Sequence, residues 1–356
     1  MNQRPYTVVL IVPTGVGAAI GGYAGDALPV ARALASVADR LITHPNVLNG
    51  AQLYWPLPNA FYVEGYGLDR FAARQWGLRP VHQNRVGLIL DRGIEPDLRL
   101  RQLQAADATR ATLGLNLTDY VITDAPLQVQ LKSTSKASWG TIDNPDSLLR
   151  AAEILVHKAG ADAIAVVARF PDEIDSTALE NYRHGQGVDP LAGAEAVISH
   201  LVVRTFQIPC AHSPALTPLP LDPHLSPRSA AEELGYTFLP SVLVGLSRAP
   251  QFLNATQVPS LSSDIWANEV DAVVVPATAC GSSALLSLSH TGVQIIAVKE
   301  NHTQMQVPPE LLGIKAIQVN SYLEALGVLV AHKTGINPTA LSPFISPLHC
   351  LSTIDK

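Results

Sequence analysis

At 356 residues the chain is long enough to bury a large core and to divide into two lobes. Hydrophobic residues make up 47% of it and charged residues only 15%, which argues against a disordered chain and, weakly, for a homo-oligomer. The net charge of −6 and the absence of basic blocks argue against nucleic acid as the main partner.

The first residues run straight into an apolar strand, so no signal peptide is expected, and no apolar stretch reaches the roughly 20 residues a membrane span needs. Cys210, Cys280 and Cys350 are odd in number and far apart. That pattern suits a reducing compartment and offers neither a disulfide framework nor a CxxC metal site.

In chain order, 7–12 is a β-branched run that reads as a strand buried on both faces. Pro13 ends it, and Gly15, Gly17, Gly21, Gly22 and Gly25 follow in the densest glycine stretch of the chain. Asp26 is the expected N-cap of a helix with Pro29 in its first turn and Leu28, Ala31, Leu34, Ala35 and Ala38 on one face. Residues 40–43 form a short strand ending at His44-Pro45. The aromatic stretch 46–83 reads as a packed surface excursion or subunit contact, with a wall over the glycine loop as the alternative.

Residues 85–91 are a strand, Glu95-Pro96 opens a helix, and Gly114 stops it. A strand at 120–123 leads into the polar stretch 130–144, and Asn144-Pro145 starts a helix that Gly160 ends. The strand 163–168 is followed by polar residues 169–187 and by a helix from Asp189-Pro190. Six prolines between 208 and 227 mark a connection. Ser226-Pro227 starts a short helix to Gly235, and 237–246 reads as a strand. Residues 271–275, 294–298 and 316–319 are further strands, with a short helix at 284–288 and a capping box, Ser321 and Glu324, opening the last helix.

Alternating strands and capped helices indicate a doubly wound, mainly parallel α/β fold with two Rossmann-like lobes. The expected division is an N-terminal lobe over 1–207, the connection 208–227, a C-terminal lobe over 228–340 and a tail over 341–356. AGADAIAVVA (159–168) and NEVDAVVVPA (268–277) are alike in part, as two similar lobes would require.

The segments TGVGAAIGGYAGDALP (14–29), HPNVLNGAQLYWP (44–56), VVVPATACGSS (273–283) and KENHTQM (299–305) resemble a domain family of unknown function found in cyanobacteria and plastids. The resemblance covers nearly the whole chain. It implies a cyanobacterial cytoplasm or a plastid stroma and supplies no mechanism.

Ligands of open parallel sheets sit beyond the carboxyl ends of strands. Five such ends here are polar or glycine-rich: 13–26, 124–141, 169–187, 276–283 and 299–304. Gly15-x-Gly17-x-x-x-Gly21 approximates a dinucleotide pattern, but the standard third glycine falls at Ile20 and the second strand ends in His44 rather than an acid. There is no GK[ST], so a P-loop is not expected, and no cofactor is identified. The expected ligand-binding set is Thr14, Gly15, Gly17, Gly21, Gly22, Asp26, Thr278, Ser282 and Ser283.

Cys280, ahead of a helix N-terminus, reads either as a small buried cysteine or as a nucleophilic or acid–base thiol with Cys210 as a partner. Lys299, Glu300 and His302 complete the candidate catalytic set, with a buried Lys–Glu pair as the alternative. Asp124 with Lys132, and Asp172, Glu173 and Asp175 with His184, match no metal motif. These groups point to an enzyme acting on a small carboxylated or phosphorylated metabolite in an inter-lobe cleft, or to a non-catalytic ligand-binding or assembly factor.

Overall fold

The computed structural model describes residues 4–172, 176–233, 238–254 and 259–349. Two parallel sheets flanked by helices form the α/β fold expected from the sequence. The six-stranded sheet runs Ile317–Val319, Gln294–Val298, Val270–Pro276, Thr7–Leu10, Arg40–Thr43, Ala60–Tyr62. Counted by their own order in the chain, these strands lie 6-5-4-1-2-3. The four-stranded sheet runs Cys210–Ala215, Ala163–Arg169, Val86–Leu90, Leu117–Ile122, which counted the same way is 4-3-1-2. Each sheet therefore reverses direction next to its first strand, and the crevice outside such a reversal is where open α/β sheets bind ligands.

The sheets do not follow the division expected at 208–227. Thr7–Leu10 pairs with Val270–Pro276, so the larger sheet takes three strands from each end of the chain, and the smaller sheet is inserted between them. Cys210–Ala215, inside the proline-rich stretch, is an edge strand bonded to Ala163–Arg169. An edge tolerates Pro214, whose missing N–H would break a central ladder.

The stretch 237–246 also differs from its expected strand: Leu239–Ser247 is a helix. Its Leu239, Val242, Leu243 and Leu246 share one core with Val8, Leu10, Val86, Leu88, Ala165 and Val167 of the two sheets. A helix clamped between sheets is apolar all round and loses the helical period by which it would be recognised. Each of those four side chains contributes about 1.5–3 kcal/mol relative to exposure.

Residues 130–144 carry an antiparallel hairpin, Val129–Ser133 with Ser138–Ile142. The aromatic stretch forms no wall over the glycine loop. Phe71 is buried in the core beneath the larger sheet, Tyr66 and Trp76 pack on Phe252, and Tyr54 and Trp55 are exposed.

The two similar segments occupy matching places. Ala163–Arg169 and Val270–Pro276 each lie beside the first strand of their sheet, across the reversal. Asp162 and Asp271 at their amino ends pair with Arg85 and Arg4, which precede those first strands.

Candidate ligand site at the first reversal

The loop 13–26 leaves the first strand at the reversal of the larger sheet, beside the loop that follows Val270–Pro276. Its second half is held by its own surroundings. Ala19 N–H donates to His302 O at 2.8 Å, and Gly25 N–H to Asn46 O at 2.7 Å. The buried Asn301 side chain accepts from Ile20 N–H and donates to Ile20 O, both at 2.8 Å. Gly21 N–H donates to Asp26 Oδ1 at 2.7 Å.

The first half is bonded on one side only. Gly15 O accepts from Ser138 N–H at 3.0 Å and Val16 O from Gln304 N–H at 2.7 Å. Among the described residues, the backbone N–H groups of Thr14, Gly15, Val16, Gly17 and Ala18 have no acceptor. Gly15 and Gly17 take left-handed φ of +68° and +63°, while Thr14, Val16 and Ala18 do not. A Cβ built on Gly15 would stand 2.8 Å from Ser138 Oγ, itself a buried hydroxyl without a partner.

The remaining expected ligand residues divide. Gly21 and Gly22 serve packing, since added Cβ atoms would stand 2.3 Å from Val12 Cγ1 and 2.4 Å from Ala18 O. Asp26 does not cap the helix Leu28–Ala35, whose cap position is Ala27. Its carboxylate turns back to the Gly21 and Tyr23 N–H groups and to Arg228, because those donors are closer than the helix end. Thr278 Oγ1 lies 2.9 Å from Thr303 Oγ1 and accepts from Thr303 N–H, stitching the loop after Val270–Pro276 to the 299–304 loop. Ser282 caps Ser283–Ser289 by accepting from Leu285 N–H, and Ser283 is exposed.

The expected catalytic groups are more dispersed. Cys280 is fully buried, with its thiol 3.7 Å from Ala277 O, and burial pushes its pKa up to about 11, the reverse of an activated thiol. The short helix beyond it cannot offset that desolvation. Cys210 lies in the other sheet and the other core, also pushed up by burial, so the two cysteines form no pair. Glu300 accepts from Tyr322 N–H at the start of the last helix, so it caps that helix rather than facing a ligand. Lys299 and His302 keep exposed side chains, and the backbone of His302 adjoins the glycine loop.

The groupings weighed for a metal do not form. Asp124 pairs with Arg150 and Asp172 with Arg169, while Glu173 and Asp175 lie outside the described residues. Among the described residues, Glu180, His184 and Asp222 bring three donors within 4.8 Å. The imidazole is wedged between the carboxylates, Nε2 at 2.9 Å from Asp222 and Nδ1 at 3.6 Å from Glu180. Both ring nitrogens thus face a carboxylate.

The reversal of the smaller sheet is filled. Asp91 is buried and accepts from the Gly93, Leu127 and Arg169 N–H groups at 2.9, 2.9 and 3.0 Å. Arg169 spans Glu95 at 2.9 Å and Asp172 at 2.5 Å, holding the Asp172 carboxyl down at about 2.

Sequence reasoning missed Ser138, Gln304 and Asn301. All three lie within the polar strand-end runs 124–141 and 299–304, but nothing local set them apart from their neighbours there. It also missed an acidic group behind the glycine loop, the buried Asp189 with the half-buried Glu195 and Glu232, of which sequence reasoning singles out only Asp189, and then as a helix start.

The family model for a protein of unknown function, DUF3326, matches residues 7–342. A protein of Synechococcus sp. (strain ATCC 27144 / PCC 6301 / SAUG 1402/1), named uncharacterized lipoprotein syc1174_c, is 62% identical over 344 residues, covering 96% of this chain and 95% of its own length. Among solved structures, a LacI-family transcriptional regulator CcpA from Weissella paramesenteroides with bound glucose is 11% identical, with 70% of this chain and 91% of that one covered. Its TM-score of 0.16 carries no argument. The match over nearly the whole chain and the cyanobacterial relative agree with the motifs around the glycine loop, and the protein belongs to the DUF3326 family.

Proposed function

We propose that the protein binds a small carboxylated or phosphorylated metabolite in the crevice between its two sheets, with the anionic group seated on the turn Thr14–Ala18. The observation that carries this reading is the run of five adjacent backbone N–H groups without an acceptor, at the reversal of the larger sheet. The neighbouring Ser138 hydroxyl, buried and without a partner, supports it.

In the enzyme form of this reading His302 carries the proton, because its side chain is exposed on the loop bonded to Ala19. The structural roles of Cys280 and Glu300 favour the other form, a binding protein without turnover. Cyanobacterial cytoplasm is the proposed compartment from the free cysteines, whereas the relative's name as a lipoprotein favours a membrane surface. No helix among the described residues is long and apolar enough to cross a membrane. A homo-oligomer is proposed from the low charge fraction, and light scattering on the eluted protein checks it.

Native mass spectrometry of the purified protein should reveal the ligand, and thermal-shift screening of small carboxylates and phosphates should recover it. Ser138→Ala is expected to reduce the ligand-induced shift while leaving the free protein's melting unchanged. An unchanged shift in Ser138→Ala, together with no anion that stabilises wild type, removes the proposal. His302→Ala then separates the two forms, since binding survives in both and turnover is lost only in the enzyme.

A further inference from the structure

Two segments lie across the second half of the glycine loop. The first contains the helix Ser176–Arg183 and its continuation to residue 191, and the second the helix Pro227–Glu233. Tyr23 Oη donates to Tyr182 O at 3.0 Å, and the two rings stack with centroids 4.5 Å apart. Tyr182 Oη donates to Glu232 Oε2 at 2.5 Å. Arg228 reaches Asp26 at 3.1 Å, and Arg183 joins the segments through Glu233 at 2.8 Å. Gly187 O and Val188 abut Gly17, so the same strap borders the Thr14–Ala18 turn.

The charges under this strap do not balance. The carboxyls of Asp189, Glu195, Glu232 and Asp26 face one another from four elements. Facing them are Tyr23 of the glycine loop, Tyr182 of the first strap helix and Arg228 of the second, with His212 of the adjoining strand 3.6 Å from Glu195. Arg228 is engaged by Asp26 and is itself half exposed, which leaves Asp189 and Glu232 without a cation of their own. Asp189, buried and accepting from Leu191 N–H at 2.8 Å, and the half-buried Glu232 cannot both ionise at low cost so close to other acids.

We propose that this strap is latched by protons: it stays seated on the glycine loop while Asp189 and Glu232 hold a proton between them, and it lifts when both ionise, uncovering the Thr14–Ala18 turn. Burial and the mutual repulsion of the acids push both carboxyls up, so the release lies well above the ordinary carboxylate range. The sign follows from linkage. Carboxyls whose folded pKa is raised favour the closed strap fully below their ordinary range, and that contribution is lost as pH rises through the raised value. The inference concerns the protein without ligand and stands apart from the anion-binding reading.

Hydrogen exchange of the full-length protein between pH 6 and 8.5, corrected for intrinsic rates, tests it. Protection of peptides from 176–191 and 226–233 is expected to fall about tenfold or more relative to the helix Pro145–Lys158. Asp189→Asn with Glu232→Gln removes both ionisations and should keep the strap protected throughout. If the double variant does not fold, Glu232→Gln alone should abolish the loss of protection, since the two carboxyls can no longer both ionise. Wild-type strap protection that stays level with the reference helix at every pH, or an equal loss in a folded double variant, overturns the proposal.

Discussion

The two reversals solve one topological problem in opposite ways. At both, a first strand parts from a neighbour of similar sequence and leaves a crevice at the carboxyl edge. In the smaller sheet the protein fills that crevice itself: Asp91 gathers three backbone N–H groups and Arg169 binds two carboxylates. In the larger sheet Asp26 gathers only the Gly21 and Tyr23 N–H groups of the loop's second half, and among the described residues the N–H groups of Thr14 to Ala18 lack acceptors. An acid that accepts three backbone N–H groups is an internal substitute for an anionic ligand. The comparison shows what the open site is short of.

The comparison breaks most readily at Gly21. Its φ of +91° and the 2.3 Å separation of an added Cβ from Val12 Cγ1 leave no room for a side chain. Gly21→Val should cost about 3 kcal/mol in denaturant unfolding, so it reports on the fold and not on the ligand.

Cys280 comes next. Cys280→Ser places a hydroxyl in a fully buried site whose nearest acceptors are 3.7 and 3.8 Å away, and should cost about 2 kcal/mol; Cys280→Ala should cost less. With its pKa pushed up to about 11, Cys280 should resist iodoacetamide at neutral pH until the protein unfolds. Rapid alkylation of the native thiol would reopen a reactive role.

At the filled reversal Arg169→Ala should cost only about 1 kcal/mol, because its two carboxylates are half exposed. The depressed Asp172 pKa contributes stability that is present above its unfolded value and lost as pH falls toward about 2. Acid unfolding of Arg169→Ala should therefore lack that limb while melting with anions stays as in wild type. Ser138→Ala is the mirror image: free-protein stability should change by less than about 0.5 kcal/mol, and any anion-dependent shift should shrink.

How far the sequence carried these distinctions depends on the range of the interaction. Val8, Val273 and Ile295 lie in apolar, β-branched runs, so five of the six strands of the larger sheet were legible locally, as was Gly114 as a helix stop; the sixth, Ala60–Tyr62, was hidden in the aromatic stretch read as a surface excursion. Pairing of Thr7 with Val270 was not, since nothing local records which distant strand completes a sheet. The helix Leu239–Ser247 was misread because burial on all sides erased its period. At the site the glycine loop was legible from composition, while Ser138 and Gln304 reach it only through tertiary placement. Cys280 shows the same limit: position before a helix is local, burial is not.

The inserted position of the smaller sheet has a consequence for synthesis on the ribosome. By the time residue 215 has emerged, all four strands of the smaller sheet exist, yet the larger sheet has only its first three. The edge of Thr7–Leu10 must stay unpaired until Val270–Pro276 is made, so a buried, β-branched strand waits in the open through most of translation. Closing so long a loop adds little to the equilibrium cost, because that term grows only logarithmically with length. It governs the order of events instead: the middle of the chain folds before either end, and a pause in translation near residue 250 strands a half-built sheet with an aggregation-prone edge.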